Sequence, residues 1–96
     1  MLNTQQWLES QAEYNTKEKR GKITELDISN QNLAGKLDLN EFINLEKLNC
    51  SRNQLTSINL DNCKKLREIN CGYNKLTGLD LTGLNELEQI KCYNII

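Results

Sequence analysis

Leu45–Lys65 reads LEKLNCSRNQLTSINLDNCKK, and Leu66–Glu86 reads LREINCGYNKLTGLDLTGLNE. Laid on each other with Leu66 over Leu45, the two stretches agree place by place. Leucine or isoleucine holds the first and fourth places, cysteine the sixth (Cys50, Cys71), asparagine the ninth (Asn53, Asn74) and leucine the eleventh (Leu55, Leu76). TSINL and TGLDL follow. A further unit opens at Leu87 as LEQIKCYNII, the same distance beyond Leu66 as Leu66 lies beyond Leu45. Upstream, ITELDISNQNLAGKLDL (Ile23–Leu39) fits the same frame, with Ile28 at the cysteine place and Gln31 at the asparagine place. This first unit is longer than the others by a single inserted residue before Leu45. Self-similarity at such a period marks a chain built by stacking one small unit on the next.

The triplets Leu48-Asn49-Cys50 and Ile69-Asn70-Cys71 alternate apolar, polar, apolar, the period of a strand with one buried face. One short strand cannot bury that face alone, but stacked copies can. Stacking aligns Ile28, Cys50, Cys71 and Cys92 in one column, Leu26, Leu48, Ile69 and Ile90 in a second, and Ile23, Leu45, Leu66 and Leu87 in a third. Leu33, Leu55 and Leu76, with Phe42, Cys63 and Leu84, close the coil. The pairs Leu37/Leu39, Ile58/Leu60 and Leu79/Leu81 predict a second, shorter row of strands. Asn53 and Asn74 sit where the chain bends, and an inward amide there satisfies backbone groups that cannot reach water. Gln31 is expected to do this less well in a terminal coil, and Ile95 breaks the pattern at the corresponding place.

The pattern L-x-x-L-x-[CI]-x-x-N-x-L resembles the leucine-rich repeat over Ile23–Ile96. Its short period and its nested second half, L-x-x-[IL]-[ND]-L, resemble the class of bacterial and fungal leucine-rich repeats called IRREKO. The resemblance implies an α/β chain: a right-handed solenoid of about three and a half repeats, the last truncated, with a parallel sheet on its concave face and short strands or turns on the convex side. Residues 1–22 read as a helical cap on this 23–96 solenoid. Asn3 or Thr4 is the expected N-cap, Trp7, Leu8 and Ala12 face the first coil, Tyr14 and Asn15 end the helix, and Thr16 caps a second short turn. The Lys17, Lys19, Arg20, Lys22 cluster reads as a solvated helix end.

Several chemistries are disfavoured by content. The 96 residues include no histidine, which removes the Ser-His and Cys-His nucleophile pairs and every Cys/His zinc pattern. The three column cysteines point in parallel and do not wrap a metal ion, and adjacent parallel strands aim their Cβ vectors alike, which suits a disulfide badly. All four thiols are therefore expected to be reduced, with Cys63, on the outer side, the first to react. The pairs Glu25/Asp27 and Glu86/Glu88 read as charged surface, and the five glycines form no phosphate loop. A net charge of −1 gives no electrostatic support to a nucleic-acid or membrane-surface role. The first residues lack a leader's basic and apolar regions, which suggests a cytoplasmic protein.

What remains is a surface. The concave residues expected to meet a partner are Glu25, Lys47, Glu68 and Gln89; Asp27, Asn49, Asn70 and Lys91; Ser51; and a corner of Arg52, Tyr73 and Tyr93. Tyrosine and arginine are enriched at binding hot spots. The resemblance implies a non-catalytic protein–protein interaction module that needs no metal or other cofactor. The alternatives are a self-associating structural scaffold whose apolar C-terminal edge (Ile90, Cys92, Ile95, Ile96) pairs with another copy, or the repeat fragment of a larger signalling protein.

Overall fold

In chain order the elements are α1 (Thr4–Glu9), α2 (Lys17–Arg20), β1 (Glu25–Asp27), β2 (Ala34–Asp38), β3 (Lys47–Asn49), β4 (Gln54–Asn59), β5 (Glu68–Asn70) and β6 (Gln89–Lys91). The structure is a computed structural model that describes residues 3–93. The apolar–polar alternation becomes a four-stranded parallel sheet in the order β1-β3-β5-β6. Leu26, Leu48 and Ile69, at the strand centres, are 4%, 3% and 2% exposed. The register follows the repeat: Glu25 pairs with Lys47, Lys47 with Glu68, and Glu68 with Gln89. Each coil therefore places its side chains on those of the coil before.

The second row of strands is shorter than expected. β2 and β4 pair, with Leu37 opposite Ile58, but residues 79–81 form no strand and Leu79 and Leu81 are half-buried. The ladder continues from β4 only as far as the Lys75 N–H, which donates to the Leu55 carbonyl at 2.9 Å. Gly78 then brings no side chain to pack, which weakens a strand at that point. The pairing of β2 with β4 is broken once. Ala34 pairs with Gln54 and Gly35 with Leu55, but Lys36 pairs with Ser57, so Thr56 is skipped and the register shifts between Gly35 and Lys36. Gly35 has φ 77°, where a side chain would be strained.

The asparagines turn inward as the sequence predicts. The Asn53 amide donates to the Ile28, Cys50 and Ser51 carbonyls (3.0, 3.0 and 3.3 Å), and its oxygen accepts the Gln31 and Leu33 N–H groups at 3.0 Å. One side chain thus joins two coils. Asn74 repeats the arrangement one coil later, donating to the Cys50, Cys71 and Gly72 carbonyls and accepting from Leu55. Gln31 is exposed, so it takes no part in this ladder beyond its backbone N–H. Ile95 and Ile96 lie outside the described residues.

The helices lie on the first coil. Asn3 caps α1 in a reciprocal box: its Oδ1 accepts the Gln6 N–H at 2.8 Å, and Gln6 Oε1 accepts the Asn3 N–H at 3.1 Å. Leu8 is fully buried, and the Thr4 hydroxyl donates to the Ala34 carbonyl of β2 at 2.6 Å. Thr16 caps α2 by accepting from the Lys19 N–H. Tyr14 stands edge-on to Phe42, with ring centroids 6.0 Å apart. Two expectations fail here. Ala12 is exposed. Arg20, placed with the solvated cations, is 7% exposed and donates through Nη1 to Glu41 at 2.8 Å, because α2 lays it against the turn that carries Glu41.

The four thiols are not equivalent, and the expectation of four reduced cysteines is wrong for this structure. Cys71 and Cys92 form a disulfide, while Cys50 and Cys63 are free. The column places the Cα atoms of the bonded pair 4.8 Å apart, inside the range a disulfide bridges, and side-chain rotation brings the sulfurs together despite the parallel strands. Cys63 is also not the exposed thiol it was expected to be. It is fully buried, and its Sγ donates to the Leu39 carbonyl at 3.5 Å. Burial pushes the Cys50 thiol up to about 12, and burial with the Asp38 and Asp61 charges pushes Cys63 to about 11. Native protein treated with iodoacetamide at about pH 8 should therefore stay unmodified. Unfolded, unreduced protein should take up two alkyl groups; four would refute the disulfide. Both thiols are held neutral in the fold, so their contribution is intact below the ordinary thiol range of 9.0 and is lost as pH rises toward 11 to 12. The melting temperature should fall over that interval.

Candidate functional site

On the concave side, the outward residues of β1, β3, β5 and β6 line a shallow trough of about 350 Å³. Glu25, Lys47, Glu68 and Gln89 form one rail, and Asp27, Asn49, Asn70 and Lys91 the other. Alternation puts them there, since every residue beside a buried strand centre must face out. The first rail is already partly engaged within itself. Lys47 Nζ lies 3.3 Å from Glu68 Oε2. Beside the trough, Arg67 Nε bonds Glu88 Oε2 at 2.6 Å, with Glu46 3.9 Å from its Nη1. These exposed pairs each contribute little to stability, but they match neighbouring coils in register.

Three predicted contact residues also have a structural task. Asp27 Oδ1 accepts the Ser29 N–H and hydroxyl, Asn49 Oδ1 accepts those of Ser51, and Asn70 Oδ1 accepts the Gly72 N–H. Each is a side-chain turn that bends the chain out of its strand. Ser51, bonded in this way, is 8% exposed, so its assignment to the partner-facing set is corrected: the turn tucks it under Asn49. The same device recurs on the far side, where Asp38, Asn59 and Asp80 accept the N–H two residues on. The Thr82 hydroxyl and amide hold the Asp80 carboxyl below its usual range. Sequence reading passed over this role. The signal was the recurrence of Asp or Asn between two apolar residues in both halves of the first three units.

Beyond the trough, the chain turns through a corner. Asn30, Arg52 and Tyr73 occupy equivalent places, with φ of 55°, 57° and 58°. Their backbones link the coils: Arg52 N–H donates to Gly72 O at 2.9 Å, and Tyr73 N–H to Tyr93 O at 2.8 Å. The Arg52 guanidinium lies 4.6 Å from the centroid of the Tyr73 ring, an arrangement worth about 0.5–1 kcal/mol at an exposed site. Tyr73 is 45% and Tyr93 59% exposed. Gly72 stands where the two preceding coils carry Ser29 and Ser51. A Cβ at that position would meet the Tyr93 N at 3.3 Å and its ring at 3.5 Å, so the glycine makes room for the tyrosine. Arg52 and Tyr73 are thus stacked, and Tyr73 is tied through its backbone to Tyr93. Asn94, next in its column, lies outside the described residues.

Two copies of the leucine-rich repeats family model match residues 43–86. Over this stretch the chain is built of leucine-rich repeats. Its repeats have the in-register parallel strands and inward asparagines described above. No curated protein and no solved structure matches the chain. Leucine-rich repeat domains generally mediate protein–protein interaction, and the repeat fold is typically non-catalytic. No helix among the described residues is long and apolar enough to cross a membrane.

Proposed function

We propose that this leucine-rich repeat chain is a non-catalytic protein-interaction module that engages a protein partner, rather than a nucleic acid or a membrane, through the concave trough and its Arg52–Tyr73–Tyr93 corner. The cap of residues 1–22 on a 23–96 solenoid is part of the same reading. The observation that carries it is the trough itself: side chains from all four strands converge on one open face of about 350 Å³ beside two exposed tyrosines. Large amphipathic rings next to an arginine supply contact area at low entropic cost. The test is affinity capture with three baits: wild type, the triple variant Arg52→Ala/Tyr73→Ala/Tyr93→Ala, and the trough variant Glu25→Lys/Lys91→Glu. Proteins held by wild type should be lost from both variants by tenfold or more, about the effect of removing a hot spot. Retention by both would remove the concave face from consideration.

A second reading rests on β6. Ile90 at its centre is 53% exposed, and among the described residues β6 pairs with β5 alone. An open strand edge invites another chain, so self-association is the rival. Light scattering that gives a monomer mass at every concentration would eliminate it. A cytoplasmic location belongs to the main reading and has its own check. A Cys71–Cys92 bond found in protein quenched directly from cells would place the chain in an oxidising compartment.

A further inference from the structure

We infer that the corner is a docking shelf for an acidic, extended segment of the partner protein, bound with its carboxylates toward the C-terminal coils. This rests on the proposed interaction role and names the partner's chemistry. Three independent observations support it.

The first is backbone conformation. Asn30 occupies the left-handed region in the first coil, which asparagine enters easily, but the next two coils put Arg52 and Tyr73 there, at φ 57° and 58°. Such residues enter that region at a cost and collect where function retains them. The second is presentation. Tyr73 and Tyr93 are 45% and 59% exposed, the Arg52 guanidinium is stacked on Tyr73, and Gly72 clears the ground beneath Tyr93. The third is the distribution of unpaired charge. The turns 29–32, 51–54 and 72–75 contain no acidic residue, and their only charges are Arg52 and Lys75. Lys91 joins them from β6. Among the described residues none of these three cations is in an ion pair, whereas the nearby Glu68 is paired to Lys47, and Glu46 and Glu88 lie beside Arg67. On the same face, Glu25 and Asp27 of the first coil are the acids without an ion pair among the described residues. The face therefore runs from negative to positive along the stack, which selects one orientation of a complementary chain.

A polyphosphate backbone suits the shelf less well than a peptide. Three cations offer few phosphate contacts, and Glu25, Asp27 and the overall charge of −1 would repel the rest of a nucleic acid. A peptide can concentrate two or three carboxylates at Arg52, Lys75 and Lys91 and lay its apolar parts on the tyrosine rings.

The probes are poly-L-glutamate, poly-L-lysine and a single-stranded oligothymidylate, titrated into full-length 15N-labelled protein. Poly-L-glutamate should shift the resonances of Arg52, Tyr73, Lys75, Lys91 and Tyr93 and leave those of the cap in place. Binding should weaken as salt rises from about 0.03 to about 0.5 M. Lys75→Glu/Lys91→Glu should weaken it by about tenfold or more, and Lys75→Gln, a change at one exposed side chain, provides the same reading if the double variant folds poorly. No shift with poly-L-glutamate, equal binding of poly-L-lysine, or tighter binding of the oligothymidylate at these residues would each overturn the inference. If captured proteins still depend on the trough while poly-L-glutamate does not bind, the acidic class falls and the interaction role stands.

Discussion

Replacing Asn53 with alanine is expected to lower stability by about 4 kcal/mol, a large share of the roughly 5–15 kcal/mol that holds a domain folded. Five hydrogen bonds converge on that amide, three donated and two accepted, and three of them, with Ile28, Gln31 and Leu33, join the first coil to the second. Their partners are backbone groups at a bend inside the solenoid, where water cannot replace the lost amide. A hydrogen bond is worth about 1 kcal/mol net, and a buried group left without one costs about 1–3. Asn53→Asp should be at least as damaging, because a carboxylate oxygen would then face the Ile28 and Cys50 carbonyls that now accept N–H donors. Gln31→Ala, at the equivalent place in the first coil, should be nearly neutral because that side chain is exposed. Urea unfolding followed by circular dichroism measures all three. A loss below about 1 kcal/mol for Asn53→Ala would mean that the ladder does not hold the coils together.

The second large effect concerns the last coil. Reduction of the Cys71–Cys92 bond, or Cys92→Ser, should raise amide exchange near β6 by about a hundredfold. That follows from the roughly 3 kcal/mol expected for cross-linking a loop of this size. The sequence separation is 21, one full coil. β6 has little else to hold it: all three of its residues are exposed, and among the described residues β5 is its one neighbour in the sheet. In a stacked repeat each unit depends mainly on its neighbours, so the loss should be local. The amides that report it are Cys71 N–H, bonded to Lys91 O, and Tyr73 N–H, bonded to Tyr93 O. Leu33 N–H, held by Asn53 in the first coils, should not change. Equal exchange before and after reduction would show that the bond does not secure the final coil.

Much of this architecture can be read directly from the chain. The repeat period, from Leu45 to Leu66 to Leu87, identifies which side chains meet across coils, because stacking equivalent units brings equivalent places together whatever their detailed geometry. Leu26 over Leu48 over Ile69 follows from that alone. So does the inward turn of Asn53 and Asn74, because a bend inside a stacked coil leaves backbone groups that only a residue with both donors and acceptors can satisfy. The grouping of Arg52, Tyr73 and Tyr93 at one edge also follows from the period.

Other features depend on directions that spacing does not encode. Ser51 alternates outward on paper, but the Asn49 side-chain turn buries it. Arg20 reads as one of four surface cations until α2 folds it onto Glu41. Cys63 reads as an outer thiol until the coil closes over it. Cys71 and Cys92 share a column by repeat arithmetic, yet whether two sulfurs in parallel strands meet depends on side-chain rotation at a separation of 4.8 Å. The sequence by itself determined the period, the columns and the face left open to a partner, because a hydrophobic repeat sets which residues are neighbours. The tertiary structure alone decided how each neighbour is turned, because backbone angles at the bends, such as those that place Arg52 against the Tyr73 ring, are set only when one coil packs on the next.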